Sequence, residues 1–342
     1  MKEKKNPIRN ILAVFLGVAV LCVFIEVILQ FSGSQDYDIW AKDTLSGLTT
    51  YRPNSQFVHS GTCFENLVEV NNIGLQGPVV SIPKGEDTFR ILLVGSSFVE
   101  ALQVQNNQMT SFVLEGKLNE SSKGTVRYEV IPLGFSSNGT YLDALYYERY
   151  GKALKPDLVI LLQTDYEVGV EPPVRYDENG EVIFAYDQTV QDSRIVFLKK
   201  QLRKSKMVMN VMDRAHLFVA NAKEFLADPF PFLTQEAKIA SETTKEPSQE
   251  QWAAEINIVH SFARKVEQDH SRFVVATWAQ PSATTFTKEE LTRRLSVLAT
   301  QDRFSYLDLT SAMATEEVKT GKATEVPCDG HWSVAGNQYA AS

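Results

Sequence analysis

The residues of this chain that could do chemistry begin with two serines at the end of a short apolar run. Residues 91–94 read Ile-Leu-Leu-Val, and Gly95, Ser96 and Ser97 follow them. In open α/β sheets, side chains at the carboxyl ends of buried strands line the ligand site. Ser97 is therefore the predicted nucleophile, and Ser96 is the alternative.

A second reactive group lies near the other end of the chain, at Asp329-Gly-His331. A serine hydroxyl is a weak nucleophile at neutral pH. It needs a base within hydrogen-bond distance, usually a histidine that a carboxylate orients. We predict that His331 is the base and that Asp329 orients it. The other histidines lie in helical or polar surroundings and are weaker candidates. They are His59, His216, His260 and His270.

An acyl-transfer transition state also needs hydrogen-bond donors for a developing oxyanion. The backbone N–H of Ser97 is one predicted donor. Gly134, at the end of the next predicted strand, is the second, because a glycine lets a substrate approach the backbone. The side-chain amide of Asn138 could add a third donor. The alternative is that Asn138 is a turn residue or a helix cap.

The composition argues against several other kinds of chemistry. The net charge of -8 argues against a nucleic-acid surface, because binding phosphates requires a basic stripe. The sequence has no His-x-x-x-His or Cys-x-x-Cys spacing and no glycine-rich phosphate loop. We therefore predict neither a metal site nor a cofactor.

The elements that must position these residues alternate between apolar runs and helical patterns. Predicted strands cover residues 89–94, 128–133, 158–162, 273–278 and 304–309, and predicted helices cover 107–118, 141–154 and 252–268. This alternation is typical of a parallel sheet with helices on both faces, so we predict an α/β fold with about five strands. An insertion at about 170–250 carries a hairpin and a basic stretch. That stretch is a lid, a membrane-facing helix or a solvated helical face.

The N-terminus is predicted to be a membrane anchor. Residues 1–10 are basic, and residues 11–31 are apolar except for Glu26 and Gln30. About 20 such residues span a bilayer core, and this run exceeds the apolar region of a cleavable signal peptide. We predict an uncleaved single-pass anchor in the cytoplasmic (inner) membrane. A stalk over 32–63 and a domain over 64–342 would then lie outside, in the periplasm or at the cell surface.

The cysteines fit an exported domain. Cys22 lies within the apolar run, which leaves Cys63 and Cys328 in the exported part. Two cysteines in an oxidising compartment can pair. Such a disulfide would tie the early segment to the loop that carries Asp329, and the alternative is two buried free thiols.

Several blocks of this sequence, in this order, resemble those of the SGNH/GDSL hydrolases, including membrane-anchored bacterial members. The blocks are Val70-Asn-Asn-Ile-Gly-Leu-Gln-Gly77, Gly95-Ser-Ser-Phe-Val-Glu100, Gly134-Phe-Ser-Ser-Asn-Gly-Thr140, Lys155-Pro-Asp-Leu-Val-Ile160 and Asp329-Gly-His-Trp-Ser-Val-Ala-Gly336. The resemblance covers roughly residues 65–165 and 273–342. It implies a three-layer, flavodoxin-like sandwich.

The resemblance also implies an activity. The chain would be a serine esterase or an O-acyl transferase that forms an acyl-enzyme on Ser97, with His331 and Asp329 as partners. The predicted location makes ester-linked acyl groups of a cell-envelope glycan or lipid the natural substrate. The expected partners are that acylated substrate and the membrane, and the sequence leaves the oligomeric state open.

Two positions depart from the family pattern. The residue before the nucleophile, usually Asp, is Ser96 here. The third strand usually ends in Gly-Asn-Asp, whose Asn is an oxyanion donor, but here it leads into Gln163-Thr-Asp-Tyr-Glu167. Gln163, Thr164 and Tyr166 are the candidates to replace that Asn. The alternative function is a non-catalytic SGNH-like envelope protein that binds a glycan or assembles a polysaccharide machine.

Overall fold

The structure, a computed structural model, describes residues 7–31, 39–43, 46–136, 138–169, 174–178, 180–184, 205, 207, 208, 211, 246–281 and 285–342. The chain divides into two compact units. One comprises Met1–Ile39 and Gln188–Thr243, and the other comprises Trp40–Asp187 and Thr244–Ser342. The second unit contains every predicted site residue.

The centre of the second unit is a parallel sheet. In chain order its strands are β5 (Thr88–Gly95), β6 (Arg127–Gly134), β7 (Leu158–Thr164), β8 (Arg272–Trp278) and β9 (Ser305–Asp308), after four short strands, β1 (Trp40–Lys42), β2 (Thr49–Tyr51), β3 (Gln56–Ser60) and β4 (Glu65–Glu69). The sheet has five strands in the order β6-β5-β7-β8-β9, and every neighbouring pair is parallel. The predicted α/β class is confirmed.

The apolar runs form these strands because the sheet is covered on both faces. Leu92, Val94, Val159 and Leu161 are wholly buried along β5 and β7. Strands that are buried on both faces read as continuous apolar runs rather than as an alternating pattern. Because these strands are parallel, the carboxyl ends of β5, β6 and β7 lie at one edge of the sheet, where Gly95 pairs with Gly134.

Helices form the two outer layers. They are α2 (Ser97–Glu100), α3 (Thr110–Ser122), α4 (Thr140–Tyr146), α5 (Gln249–Gln268), α6 (Thr285–Asp302), α7 (Leu309–Thr320) and α8 (Val334–Ala340). Helix α8 contacts both α3 and α7, and residues of all three helices pack in one core cluster with Ile91 and Leu93. Helix α4 packs against β5 and β6, and helices α5 and α6 pack against β8 and against β8 and β9, respectively. The sheet thus lies between two layers of helices, and the unit has three layers.

Residues 40–60 differ from the predicted stalk, because they fold as part of the second unit. Strands β1 and β2 pair as one antiparallel hairpin, and β3 and β4 pair as another. Tyr51 and Phe57 are buried, and their rings lie 5.0 Å apart. Strands β1, β2 and β3 have only three to five residues, which is too short to show a periodic pattern, so the sequence did not reveal them. The strand-like character of residues 64–70 in the sequence agrees with β4.

A second difference concerns the segment after Gly95, where the first predicted helix begins only at residue 107. The structure has a short helix there, α2, which ends at Ala101 with a left-handed φ of 54°. A helix of four residues has too few positions to reveal a helical period. Its first residue is Ser97, so the short helix presents the predicted nucleophile.

The N-terminal unit contains helix α1 (Pro7–Phe31). Glu26 of this helix accepts hydrogen bonds from the Ser205 hydroxyl, at 2.7 Å, and from the backbone N–H of Met207, at 3.0 Å. In the part of the chain that the structure describes, no helix has the length and apolarity needed to cross a membrane. Most of the predicted insertion at 170–250 lies outside the described residues.

The accessory hairpin predicted around residues 170–191 is described only near its turn. Tyr176 and Val182 form an antiparallel bridge there. The backbone N–H of Asp177 donates to the carbonyl of Glu181 at 2.9 Å. Gly180 has a φ of 81°, which a glycine adopts without strain and which closes the turn.

Candidate active site

Ser97, His331 and Asp329 meet at the carboxyl edge of the sheet. The Ser97 Oγ lies 2.8 Å from Nε2 of His331. On the other side of the ring, Nδ1 of His331 is hydrogen-bonded to Oδ1 of Asp329. A serine, a histidine and a carboxylate in this chain of contacts form a nucleophile, its base and the group that orients the base.

The loop that carries His331 is held by its own backbone. The N–H of Val326 donates to the carbonyl of His331 at 2.7 Å, and Glu325 forms a bridge with Trp332. Gly330 has a φ of 84°, a left-handed conformation that disfavours other residues. The backbone N–H of His331 also donates to Asp329 Oδ1 at 3.3 Å, which fixes the two side chains as one unit.

Two further contacts tie this loop to the domain. The side-chain oxygen of Asn337 accepts hydrogen bonds from the backbone N–H and the hydroxyl of Thr110, at 2.9 and 2.8 Å. The ring of Trp332 packs against Phe98, the residue after Ser97, with 5.2 Å between centroids. The base is therefore located relative to the nucleophile through α3, α8 and the aromatic core.

A disulfide joins Cys63 to Cys328, with 6.1 Å between their Cα atoms. Cys63 lies in the turn of the β3–β4 hairpin, and Cys328 immediately precedes Asp329. The early segment is thus covalently tied to the loop that carries the base. Cys22 is a free thiol.

The site combines a buried predicted nucleophile with a predicted base that solvent can reach. Ser97 is 8% exposed, whereas the side chains of His331 and Asp329 are 28% and 25% exposed. This gradient leaves the outer side of the imidazole open to a substrate or to water. Proton exchange with an incoming hydroxyl therefore requires no large rearrangement of the loop.

Ser96 has a different environment from Ser97. It is almost wholly buried, and its hydroxyl donates to Oε1 of Glu167 at 2.6 Å. It also shares a hydrogen bond with the hydroxyl of Tyr166. Ser97 is thus the serine in contact with the base, and the hydroxyl of Ser96 is occupied by a carboxylate.

Gly134 is required by packing, whether or not it also binds an oxyanion. A Cβ added at this position would lie 2.5 Å from the backbone N of Glu100 and 2.8 Å from the Cβ of Val99. Helix α2 therefore rests directly on the end of β6, and any larger residue would push the nucleophile helix away. The role of the Gly134 N–H as an oxyanion donor remains a prediction.

Asn138 is engaged within its own loop. Its side-chain amide donates to Oδ1 of Asp143 at 3.3 Å, and its backbone N–H donates to the carbonyl of Phe135 at 3.3 Å. The side chain is buried. These contacts match the turn interpretation of Asn138, while its role as an oxyanion donor remains a prediction.

The three residues that could replace the missing oxyanion-donor Asn differ in burial and in their distance from Ser97. Gln163 is wholly buried, and its side-chain oxygen accepts a hydrogen bond from the Thr140 hydroxyl at 2.7 Å. Thr164 is also wholly buried, at the end of β7. Only Tyr166 has a hydrogen-bonding atom near the nucleophile, because its hydroxyl lies 3.4 Å from Ser97 Oγ.

Two residues near the site were not found by sequence reasoning, and the first is Glu100. This carboxylate is 1% exposed. It accepts hydrogen bonds from the Tyr51 hydroxyl, at 2.6 Å, and from the backbone N–H of Ser136, at 2.8 Å. Burial raises the pKa of Glu100, and its hydrogen bonds oppose that shift. Its signal in the sequence was a lone carboxylate three residues after Ser97, in an otherwise apolar stretch.

The second is His59, which was set aside because its surroundings are polar. Its strand pairs Phe57 with Val68 and His59 with Asn66, so these four side chains share a face of the hairpin. Phe57 and Val68 are buried, so His59 lies on the inner face, and it is half-buried. Burial lowers the pKa of His59, the charge of Asp329 opposes that change, and His331 adds to it. The signal was the alternation in Phe57-Val-His59.

Within the described residues, no group of three or more His, Cys, Asp or Glu side chains could hold a metal ion. The side-chain groups that meet at this edge of the sheet are the hydroxyls of Ser96, Ser97 and Tyr166, the imidazole of His331 and the carboxylate of Asp329. Such a set suits acid–base and nucleophilic chemistry on a carbonyl.

Comparisons with known proteins find likeness only among solved structures, since no family model and no curated protein matches the chain. The chain is similar to LAE5, an alpha/beta hydrolase enzyme from the metagenome of Lake Arreo, Spain. The identity is 11%, with 74% of this chain and 91% of that chain covered and a TM-score of 0.44.

Two further solved structures show a comparable likeness. A putative lipolytic protein of the G-D-S-L family from Desulfitobacterium hafniense is 14% identical, with coverages of 74% and 97% and a TM-score of 0.40. The acetylxylan esterase Axe2 from Geobacillus stearothermophilus, as a catalytic mutant, is 13% identical, with coverages of 77% and 93% and a TM-score of 0.42. At these identities and TM-scores the likeness does not decide the chemistry, which depends on the side chains of this chain.

Proposed function

We propose that this chain is a serine esterase or O-acyl transferase that forms an acyl-enzyme on Ser97. The observation that carries the proposal is the 2.8 Å contact between Ser97 Oγ and His331 Nε2, together with the contact of Nδ1 with Asp329. These atoms belong to residues 234 positions apart. The contact is therefore not a consequence of local chain geometry, because the fold itself brings the imidazole to this hydroxyl.

In the first half of the reaction, Ser97 Oγ attacks the carbonyl carbon of an ester, and its proton passes to Nε2 of His331. The π electrons of the carbonyl move to its oxygen, which becomes the oxyanion. Asp329 stabilises the imidazolium that forms and holds the ring in the tautomer that accepts at Nε2. The oxyanion then collapses, the bond to the alkoxy group breaks, and the leaving oxygen takes the proton from His331.

The second half repeats these steps with another nucleophile. Water or a hydroxyl group gives its proton to Nε2 and attacks the acyl carbon, which forms a second oxyanion. Collapse breaks the bond to Ser97 Oγ, which recovers its proton from His331. Water yields a carboxylic acid, whereas a sugar or lipid hydroxyl yields a transferred ester. The exposed outer side of His331 is compatible with either acceptor.

The oxyanion needs fixed donors at the edge of the sheet. The backbone N–H of Ser97 belongs to the first residue of α2 and has no partner within that helix. Gly134 lies at the adjacent strand end, in register with Gly95. We assign these two N–H groups to the oxyanion, with Asn138 as a weaker candidate because its amide donates to Asp143.

The substrate class follows from the proposed location. Basic residues before an apolar N-terminal stretch direct the rest of a chain outward, and the Cys63–Cys328 disulfide is typical of an oxidising compartment. We propose an extracytoplasmic domain that is anchored at the cytoplasmic membrane. Its substrates would be acyl esters of a cell-envelope glycan or lipid.

Covalent labelling tests the proposal. A fluorophosphonate probe should label the purified wild-type chain, and Ser97→Ala and His331→Ala should abolish labelling. Ser296→Ala is the matched control and should label normally, because the Ser296 hydroxyl lies in α6 and donates to the backbone carbonyl of Arg293 at 3.1 Å. Loss of labelling in Ser96→Ala with retention in Ser97→Ala would show that the nucleophile is misassigned. An unlabelled wild type would favour the non-catalytic binding protein.

Hydrolysis and transfer can be separated once labelling succeeds. With p-nitrophenyl acetate as the acyl donor, an esterase releases acetate in the absence of any other hydroxyl compound. A transferase should show faster release of nitrophenolate when a sugar acceptor is added, because deacylation to water is slow. The acetylated sugar, detected by mass spectrometry, identifies the second outcome.

A further inference from the structure

The end of β7 lacks the side-chain donor that the reaction proposed above would use. The sequence there is Gln163-Thr-Asp-Tyr-Glu167. Two backbone N–H groups can hold an oxyanion, and a side-chain donor adds to them. Where such a donor is present, losing it costs about 100-fold to 1,000-fold in kcat. A side-chain donor near Ser97 would therefore raise the rate of this enzyme.

We infer that the hydroxyl of Tyr166 is the side-chain oxyanion donor of this site, positioned by Ser96 and Glu167. This inference rests on the proposed function, because an oxyanion forms only if Ser97 is the nucleophile. Tyr166 would be a catalytic residue that contacts the reacting carbonyl oxygen. Ser96 and Glu167 would be positioning residues that act through the tyrosine.

The position of the Tyr166 hydroxyl is the first support. It lies 3.4 Å from Ser97 Oγ and is hydrogen-bonded to Ser96 Oγ. The carbonyl oxygen of a substrate attacked by Ser97 would lie within about 3 Å of that Oγ, so a donor at this distance can reach it. The Tyr166 ring packs against Phe98, with 6.2 Å between centroids, and is partly buried.

The turn that carries Tyr166 is rigidly built. Residues Asp165–Glu167 form a single 3₁₀ turn directly after β7. Glu167 is wholly buried, and its Oε2 accepts a hydrogen bond from the backbone N–H of Thr164 at 3.2 Å. Its other oxygen accepts from Ser96. The carboxylate thus joins the end of β7 to the residue before the nucleophile, and Tyr166 lies between them.

The direction of the hydrogen bonds shows how the tyrosine can act. Ser96 has one hydroxyl proton, which it donates to Glu167. Its oxygen therefore accepts from the Tyr166 hydroxyl in the resting enzyme. The Ser97 proton is directed at His331. When the oxyanion forms, rotation about the Cζ–O bond turns the Tyr166 proton toward a charged acceptor, which binds it more strongly than a neutral serine does.

Tyr166 keeps its proton throughout this cycle. Burial raises the pKa of Tyr166, and the nearby Glu167 raises it further. The hydroxyl is therefore a neutral donor at neutral pH. No covalent bond forms or breaks at Tyr166, and its contribution is a hydrogen bond that strengthens in the transition state.

The two departures from the family pattern lie in contact with each other, which is the second support. Ser96 stands where the family usually has Asp, and its hydroxyl touches both Tyr166 and Glu167. A carboxylate at position 96 would face the buried carboxylate of Glu167, and two carboxylates at that distance repel each other. A serine at position 96 is therefore compatible with Glu167, and its oxygen is hydrogen-bonded to the Tyr166 hydroxyl.

The test compares Tyr166→Phe with wild type in the full chain, using p-nitrophenyl acetate. Phenylalanine keeps the ring and removes the donor. We expect kcat to fall about 100-fold or more, while KM changes little, because the donor acts mainly in the transition state. Tyr306→Phe is the matched control. Its hydroxyl donates to or accepts from Thr277 at 2.7 Å, away from Ser97, and its kcat should match that of wild type.

A transition-state analogue separates a catalytic role from a structural one. A boronic acid forms a tetrahedral adduct with the serine and should bind Tyr166→Phe more weakly by about the same factor as kcat falls. Incorporation of 3,5-difluorotyrosine at position 166 keeps the hydroxyl and makes it a stronger donor, so kcat should rise above that of wild type, and an unchanged kcat would contradict a donor role. This second variant tests the proposal even if Tyr166→Phe does not fold.

The outcomes distinguish the two proposals. If Tyr166→Phe retains wild-type kcat while Ser97→Ala is inactive, the tyrosine assignment is wrong and the serine mechanism stands. Equal binding of the boronic acid to wild type and to Tyr166→Phe would also overturn the assignment. If the wild type fails to label at Ser97, the proposed function itself is wrong.

Discussion

The carboxylate of Glu100 accepts a 2.8 Å hydrogen bond from the backbone N–H of Ser136, and also a hydrogen bond from the Ser136 hydroxyl. Glu100 ends the helix that begins with Ser97, whereas Ser136 belongs to the loop that follows Gly134. This contact therefore joins the nucleophile to the predicted oxyanion loop. The Tyr51 hydroxyl, from the early hairpin, donates to the same carboxylate.

The Glu100 contact predicts a pH dependence of stability. Burial raises the pKa of Glu100 above its ordinary value of 4.5, so the folded state holds this proton more tightly than the unfolded chain does. The contribution of this group to stability is full below about pH 4.5 and is lost as the pH rises through the raised pKa. As the pH rises from about 4 to about 8, we expect the free energy of unfolding of Glu100→Gln to fall less than that of wild type.

Urea unfolding of wild type and Glu100→Gln between about pH 4 and pH 8 measures the difference. The informative quantity is the change with pH of the difference in free energy of unfolding, because other carboxyls contribute equally to both proteins. A constant difference across the range would show that Glu100 has the same pKa in the folded and unfolded states.

Gly134 predicts a steric effect on stability. A Cβ added there would lie 2.5 Å from the backbone N of Glu100, so Gly134→Ala must displace either α2 or the end of β6. Overpacking of this kind costs about 1–3 kcal/mol. Activity should fall with it, because α2 carries Ser97.

Gly116 is the matched control for Gly134. It lies within α3, and a Cβ added there meets nothing within 4 Å. Gly116→Ala should be more stable than wild type by about 0.5–1 kcal/mol, because alanine loses less backbone entropy in a helix. The measurement is the free energy of unfolding in urea. Equal effects of the two substitutions would contradict the steric argument.

The sheet and the position of Ser97 at its edge could be predicted because their signals are local. Val94 and Leu161 belong to short apolar runs with turn residues after them, which is the pattern of buried parallel strands. Ser97 follows such a strand, and Asp329 and His331 are close neighbours in sequence. Each of these patterns can be recognised within a window of about ten residues.

The partners of Ser96 and Glu100 could not be predicted, because their contacts join segments that are distant in the sequence. Tyr51 reaches Glu100 from 49 residues away, and Glu167 reaches Ser96 from 71 residues away. No periodic pattern encodes which buried polar groups face each other. Such pairing follows from packing, which satisfies most buried polar atoms.

The disulfide between Cys63 and Cys328 predicts the number of free thiols and the stability of the domain. Denatured, unreduced protein should titrate with one thiol, that of Cys22. Replacing both bridge cysteines by alanine should lower the free energy of unfolding by about 2–5 kcal/mol. It should also lower kcat, because Cys328 precedes Asp329. Cys22→Ala is the control and should leave both quantities unchanged.

Three thiols in the unreduced wild type would show that the two cysteines are not bonded. A double variant that loses stability but keeps kcat would show that the bridge stabilises the domain without positioning Asp329. Adding a reducing agent to wild type should reproduce the double variant, which separates the effect of the bond from that of the substituted side chains.

His59 predicts a loss of stability in acid. Burial lowers the pKa of His59 from its ordinary value of 6.5, so the folded state binds the proton less well than the unfolded chain. Its contribution to stability is full above about pH 6.5 and is lost as the pH falls through the lowered pKa. His59→Gln cannot take up the proton and should lose less stability than wild type over that fall.

The same protonation should affect catalysis. A positive charge on His59 disfavours the imidazolium that forms at His331 during the reaction, although it also neutralises part of the Asp329 charge. We expect kcat/KM of wild type to fall more steeply than that of His59→Gln as the pH drops from about 7 to about 5. Unfolding and kinetics are measured on the same samples. If the pH dependence of kcat/KM and of the free energy of unfolding is the same in wild type and His59→Gln, His59 does not influence the catalytic residues.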